Sequence, residues 1–460
     1  MSQPFRLPRL RLPLGRRAEA APERPAADLG NIAPSEELQA TRWNQTFRAL
    51  RHRNYRLFYA GQSISLSGTW MQLIGQAWLV LQLTDSKAAL GTVTMLQFLP
   101  ITFLVLFGGV IADRVPKRNF IVMLQTVAML QALVLAALVW SGQVELWHVY
   151  VLAVVLGLAN AFDTPTRQSF VVEMVGKEDL MNAIALNSGL FNGARLIGPA
   201  IGGVVIAVIG VKGAFLINGL SFLPVIAGLM MMDLSQLYTE NRRPAGRANP
   251  LAELREGISY ALKTPATLLI VILAAFIGMF GFNFIVVLPL VARYVLDGGS
   301  VELGFLTASL GLGALISALA LAGRGSATKF TMFAGGIAFA ALLGAVALSQ
   351  WFYLTLLLLL AVGMANTAFS ATANTSLQLA TPDRLRGRVM GLWMLLFAGS
   401  TPIGSILTAF MADRIGVPAA IGVNAAVCGL GVSAGLAYYL SHRREVARTS
   451  HAGASVSQRI

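Results

Sequence analysis

The sequence predicts an all-α membrane protein of twelve transmembrane helices in two pseudo-symmetric six-helix bundles. Three observations lead there: a shortage of charge, twelve long apolar runs, and the places where the basic residues fall. Of 460 residues, 56% are hydrophobic and 12% charged, whereas a soluble domain carries roughly 25% charge. Too little charge remains to coat a water-soluble fold of this length, so lipid is part of the solvent. The net charge of +14 does not point to nucleic acid, because it sits in tails and between apolar runs. Cys428 is the single cysteine, which rules out an intrachain disulfide.

A spanning helix needs about 20 mostly apolar residues. Twelve runs qualify, beginning near Leu57, Leu90, Asn119, Trp147, Ala183, Ala214, Thr267, Leu303, Thr331, Trp351, Val389 and Ala419. Spans are numbered one to twelve in that order. No apolar leader opens the chain, and residues 1–43 read as a disordered basic tail. The stretch Asn44 to Arg56 suits a short basic amphipathic helix on the membrane surface.

Orientation follows from Lys and Arg, which concentrate on the cytoplasmic side. With the N-terminus inside, 30 of the 35 basic residues lie in the tails and even-numbered loops. Lys87, Lys212, Arg293 and Arg414 lie outside, and Arg195 falls within span five. Both termini are therefore expected in the cytoplasm. The long polar stretch 234–265 reads as a cytoplasmic linker. It separates an N-terminal bundle, 44–233, from a C-terminal bundle, 266–441, and 442–460 is a second tail.

The halves echo each other. Gly157-Leu-Ala-Asn160 matches Gly363-Met-Ala-Asn366, and Ile209-Gly-Val211 with Asn218 matches Ile415-Gly-Val417 with Asn424. Both pairs are offset by 206 residues. Duplicated halves around a central, midplane cavity are the architecture of secondary transporters.

The loop after span two reads Gly109-Val-Ile-Ala-Asp113-Arg114-Val-Pro116-Lys117-Arg118. A small Gly109 permits close helix approach, and Asp113 at the membrane edge suits the N-terminus of a facing helix. The bases Arg114, Lys117 and Arg118 suit an acid on a neighbouring helix end. Asp163 is expected to end span four, just before Pro165, and to be the partner of Arg114 or Arg118. It is expected to be hydrated there, which favours this pairing over the rival reading as a proton carrier. Read as a unit, these residues form a cytoplasmic gate; read singly, the bases only anchor the chain.

That loop resembles the signature of the major facilitator superfamily, with Pro116 where the family carries Gly. Span five contains Arg195 and then Gly198-Pro199-Ala-Ile-Gly202-Gly203, similar to the core of the superfamily's proton-coupled exporter motif. Ala185 and Ala194 replace its upstream glycines. Arg53 to Gln62, Ser67 to Gln72, and Thr381 to Gly391 resemble the branch that includes bacterial siderophore exporters such as the enterobactin exporter. The resemblance implies a bacterial inner-membrane exporter of a small molecule (a siderophore, metabolite or drug-like compound) that works by alternating access. It also implies proton coupling, no cofactor and a monomer. A lipid flippase on the same scaffold and a non-transporting membrane sensor are the alternatives.

A charge at mid-bilayer costs at least about 2.5 kcal/mol, so Arg195 is expected to face a cavity and anchor an anionic or oxygen-rich substrate. The resemblance places spans one, four, seven and ten around that cavity. Gln72, Gln76, Asn160, Asn192, Asn283 and Asn366 are its candidate polar lining. Taken singly, each is better read as a hydrogen bond between helices. An enzyme is not expected: there is no HExxH, no nucleophile elbow and no P-loop. The histidines, His52, His148, His442 and His451, lie in tails or at helix ends, and no metal site is expected.

Overall fold

In hydrocarbon a backbone must satisfy its own hydrogen bonds, and this chain does so with helices. The computed structural model describes residues 46–238, 250–324, 328–397 and 399–457. Within these, the side chains of 105–110, 112, 113, 250–253, 324 and 442–457 lie outside the described set. The helices of the first half are α1 (Arg53–Thr84), α2 (Lys87–Arg114), α3 (Lys117–Trp140), α4 (Leu146–Val175) and α5 (Leu180–Met230). A short α6 (Pro250–Lys263) leads into α7 (Pro265–Phe276), a π-helical turn (Ile277–Gly281) and α8 (Phe284–Tyr294). Then come α9 (Ser300–Arg324), α10 (Lys329–Leu348), α11 (Phe352–Ala380), α12 (Asp383–Phe397), α13 (Thr401–Ile415) and α14 (Val417–Ser457).

Among the described residues, ten helices are long and apolar enough to cross a membrane. The expected twelve counts two spans that those ten do not. One is α1, 32 residues long but diluted by Gln, Ser and Thr. The other arises because α5 is two helices joined end to end at Gly210, whose φ is 78°. Gly416, between α13 and α14, has φ 86°. A side chain is strained in that region of backbone space, so both Ile-Gly-Val matches turn on a residue that needs to be glycine.

The other repeat packs the same way twice. A Cβ on Gly157 would run into the Gln97 carbonyl of α2, and one on Gly363 into the Leu310 carbonyl of α9. Span four thus lies on span two as span ten lies on span eight, with glycine allowing backbone-to-backbone approach.

Two expectations at the edges change. The described part of the N-terminal basic stretch is not a separate surface helix: a 3₁₀ turn, Arg48–Arg51, with Ala49 fully buried, precedes Arg53–Arg56, which open α1. The 3₁₀ turn docks on the turn between α4 and α5. Arg48 and His52 converge on Asp179, His52 Nε2 lying 2.8 Å from its Oδ2, and the Ala49 amide donates to Asn182 Oδ1 at 2.9 Å. Burial pushes the Asp179 carboxyl up, but the hydrogen bond from His52 and the charge of Arg48 outweigh it and hold it below its usual range. A depressed carboxylate stabilises above its unfolded value of about 3.9 and loses that contribution as pH falls through the lower folded value. Asp179→Asn is therefore expected to speed trypsin cleavage after Arg51 severalfold at pH 7. Unchanged cleavage would mean the turn is held by its apolar contacts alone.

The second part of the linker also has structure. Glu256 on α6 pairs with Arg388 on α12 at 2.5 Å, and Tyr260 donates to the Ala380 carbonyl at 3.2 Å. So α6 belongs to the second half. Residues 239–249 of the linker lie outside the described residues.

Candidate functional site

A cavity of about 260 Å³ lies between the halves. From the first half it is lined by Trp70, Ile74, Phe98, Phe191 and Arg195, among others, and from the second by Phe282, Phe284, Leu288, Leu303 and Thr307. The second-half wall exists because span seven is broken. The π turn and the break at Phe282 and Asn283 interrupt the helix, and Asn283 Nδ2 donates to the Met279 carbonyl at 2.6 Å. Interrupted backbone is tolerated at membrane depth where it borders protein or a cavity.

Arg195 is the one charged residue on this wall. Its guanidinium lies 5.8 Å from the Trp70 ring centroid, and Trp70 meets Phe191 edge-on at 5.7 Å. Among the described residues Arg195 has no ion pair or hydrogen bond. The aromatic face supplies a cation–π contact and leaves the N–H fork free.

The six amides expected beside Arg195 are placed elsewhere. Gln72 donates to Gln131 of α3 at 2.8 Å and accepts from Asn218 of α5 at 2.6 Å. Gln76 donates to Gln97 of α2 at 2.9 Å. Both are buried interhelical ties, the second of the two roles open to them. Asn192 donates to the Ser188 carbonyl of its own helix at 2.8 Å. Asn283 holds the break in span seven, and Asn366 is buried. Asn160 is half-buried and, like the other five, is absent from the wall. Trp70 and the phenylalanines were missed because an apolar residue facing a cavity reads in sequence like one facing lipid.

At the basic end, Gly109 and the Asp113 side chain lie outside the described residues. Arg114 is exposed. Lys117 pairs with Glu173 of α4 at 2.5 Å, and Arg118 donates to the Leu229 and Met230 carbonyls at the end of α5 at 2.6 and 2.9 Å. Asp163 does not pair with Arg114 or Arg118. It is 4% exposed, accepts from Gln125 of α3 at 2.9 Å, and lies 2.7 Å from Arg167 Nε, close but not aligned as a hydrogen bond. Arg167 Nη1 in turn donates to Gln62 of α1 at 2.8 Å. The expected hydration fails because α4 does not end at Pro165; it runs on to Val175 and carries Asp163 into the bundle. The Asp163/Arg167 spacing, one helical turn, was the available signal.

The span-five motif stands between three helices. A Cβ on Gly198 would lie 2.7 Å from the Ser67 carbonyl of α1, and one on Gly202 2.9 Å from Met71 Cγ. One on Gly203 would lie 2.5 Å from the Ser300 carbonyl of α9, and Gly304 faces the Pro199 carbonyl in return. Ser300 Oγ donates to the Gly203 carbonyl at 3.0 Å. Gly198 and Gly202 therefore seat α5 on α1, Pro199 ends against α9, and Gly203 seats the first half on the second.

A latch between the halves lies at the same end. Asp85, in the turn after α1, accepts from Arg293 Nε at 2.9 Å and from the Tyr294 hydroxyl at 2.8 Å. The Tyr294 hydrogen bond above all, with the charge of Arg293, holds the Asp85 carboxyl below its usual range. The latch is therefore intact above the ordinary carboxylate value and loosens as pH falls through the depressed one. Both side chains are solvated, and such pairs contribute modestly. Asp85→Asn is expected to raise thiol labelling of Thr307→Cys from the Asp85 end a few-fold. This is measurable in a Cys428→Ser background, since Cys428 is the only native thiol. No change would remove the latch from the account.

The chain matches the transmembrane secretion effector family over residues 44–457. It is 26% identical to the staphyloferrin A transporter of Staphylococcus aureus over 369 residues, 79% of this chain and 90% of that one. It is 28% identical to the multidrug efflux pump Tap of Mycolicibacterium fortuitum over 391 residues, 83% and 94%. With the enterobactin exporter EntS of Shigella boydii it shares 25% identity over 302 residues, 65% and 71%. Its fold is similar to that of PepTSo, a POT family transporter, with a TM-score of 0.65 at 14% identity over 85% of this chain and 99% of that one. A helical membrane fold of two matching halves, a cavity between them and a match along nearly the whole chain converge on one assignment: the protein belongs to the transmembrane secretion effector family and is a multi-pass transporter of the major facilitator superfamily.

Proposed function

We propose that the protein is a proton-coupled exporter of a small molecule in the bacterial inner membrane, working as a monomer with both termini in the cytoplasm. The observation that carries this reading is the placement of the contacts between the halves. Among the described residues, the hydrogen bonds across the halves join Asp85 to Arg293 and Tyr294, Gly203 to Ser300, and, at mid-depth, Gly399 to Thr102. All lie from the middle of the spans to the end that the basic residues assign to the outside. At the basic end, Lys117 and Arg118 bind within their own half. This placement supports reading the protein as an alternating-access carrier held closed at the Asp85 end.

Coupling needs a titratable group in the spans. Among the described residues, Asp163 is the buried acid there, facing Arg167 on its own helix, Gln125 on α3 and, through Arg167, Gln62 on α1. Two of the relatives are named as a multidrug efflux pump and an enterobactin exporter, which supports the direction. The test is to delete the gene and compare culture supernatants, with and without iron limitation. The missing compound is then offered to inverted vesicles with an acidic interior. Gradient-driven uptake that vanishes when the gradient is collapsed is expected. Identical supernatants would remove export, and uptake indifferent to the gradient would remove proton coupling.

A further inference from the structure

We infer that the Arg195 cavity takes a small amphipathic organic monoanion, a single acid group on an aromatic or similarly flat apolar body. This rests on the transport reading above and names its substrate class.

Three features of the cavity carry the inference. The first is charge. Arg195 is the only charged residue on the wall, and it has no ion pair or hydrogen bond among the described residues. A guanidinium in an apolar setting gains most from a planar, bidentate acceptor, which is what a carboxylate presents. One cation neutralises one negative charge. A second or third acid on the same ligand would be buried against phenylalanine and leucine without compensation, and an uncompensated buried charge is strongly disfavoured. An organic cation meets no carboxylate on this wall and one like charge.

The second feature is shape and surface. The wall is aromatic from both halves, with Phe98 and Phe191 from one and Phe282 and Phe284 from the other. Aromatic rings prefer offset or edge-to-face partners, and the pair Trp70–Phe191 already takes the edge-on form. A flat ring between these groups would find several such partners. Beyond Arg195, the other polar group on the wall with a free donor is the Trp70 indole N–H, which has no hydrogen bond among the described residues. The Thr307 hydroxyl donates to its own helix at the Leu303 carbonyl, 2.8 Å away. A ligand rich in hydroxyls or amides would therefore leave most of them unsatisfied.

The third feature is size. At about 260 Å³ the cavity falls near the lower edge of ligand pockets, roughly 300–1,000 Å³, which favours a ligand of one or two rings.

The test measures binding at equilibrium in nanodiscs, with no gradient, by titration calorimetry. Three probes share a naphthyl body, 2-naphthoate, neutral 2-naphthamide and 2-naphthylmethylammonium, and a fourth, 1,3,5-benzenetricarboxylate, carries three acids on a single ring. The wild-type protein is expected to bind 2-naphthoate at least about tenfold tighter than 2-naphthamide, as one unopposed ion pair supplies. It should bind neither the ammonium nor the tricarboxylate. Arg195→Gln should bind both naphthyl acids and amides alike, with 2-naphthamide unchanged, which also shows the variant is folded. Arg195→Lys should keep part of the preference. Equal binding of the ammonium and 2-naphthoate by the wild type overturns the inference. So does competition by the tricarboxylate, or an anion preference that survives in Arg195→Gln. Because no transport is measured, a protein that shows the anion preference but moves no 2-naphthoate in vesicles would sink the transport reading and leave the site standing.

Discussion

Gly203→Leu is expected to abolish transport while the protein still inserts and accumulates normally. The glycine stands where α5 of the first half crosses α9 of the second, and a Cβ there would lie 2.5 Å from the Ser300 carbonyl and 3.1 Å from Gly304 Cα. Both are backbone atoms and cannot swing aside. Overpacking a tight contact costs about 1–3 kcal/mol. In the proposed cycle this contact lies between bodies that separate, so the cost falls on the state closed at this end and spares the open one. At 1.4 kcal/mol per tenfold, the balance between the two states moves by roughly 5- to 150-fold. A thiol at Thr307→Cys, in the Cys428→Ser background, should then become reactive from the outside by a similar factor. Gly422→Leu is the contrasting change. A Cβ at Gly422 meets nothing within 4 Å, so transport should stay normal. Normal transport in Gly203→Leu would mean that the halves do not close on each other here.

Asp163→Asn is expected to lower transport at least tenfold and to lower the melting temperature by several degrees. The carboxylate is buried, and Arg167 is 24% exposed at its side chain. Removing one member of such a pair strands the other and costs about 3 kcal/mol or more. The amide keeps an acceptor for Gln125, so the loss reports charge and not shape. The second variant separates stability from coupling. Asp163→Asn combined with Arg167→Gln removes both charges, and a neutral replacement of a buried pair is often close to neutral in stability. The double variant should recover the melting temperature but not gradient-driven transport. Recovery of both would leave Asp163 as structural only.

The sequence carried the large features because they are long-range averages. Low charge density, twelve apolar runs and the 206-residue repeat each draw on many residues, and no local override erases them. Gly198, Gly202 and Gly203 were legible because only small residues let two helix backbones touch. Arg195 was legible because a lone charge at mid-membrane has few places to go. The walls of the cavity were not. Trp70, Phe98 and Phe282 face one another only after spans one, two and seven have packed, and nothing local marks the face they share. The Asp85–Arg293 latch joins residues 208 apart in the chain. Asp163 was misplaced for a definite reason: Pro165 reads as a helix end, since proline removes a donor and disfavours helix at the residue before it. In the bundle, packing carries the helix ten residues beyond it, to Val175. Gln72 and Gln76 share a helix face as their spacing suggests, but that face turns toward α2, α3 and α5.

In the proposed cycle the two halves part at the Asp85–Arg293 end once in every turnover. The direct measurement places cysteines at both positions, Asp85→Cys and Arg293→Cys in the Cys428→Ser background, and bridges them with a short, reducible bis-thiosulfonate linker. Transport in proteoliposomes is then compared before linking, after linking and after reduction. Transport is expected to be active in the unlinked protein, abolished by the link and restored by reduction. Undiminished transport with the link in place would contradict that cycle.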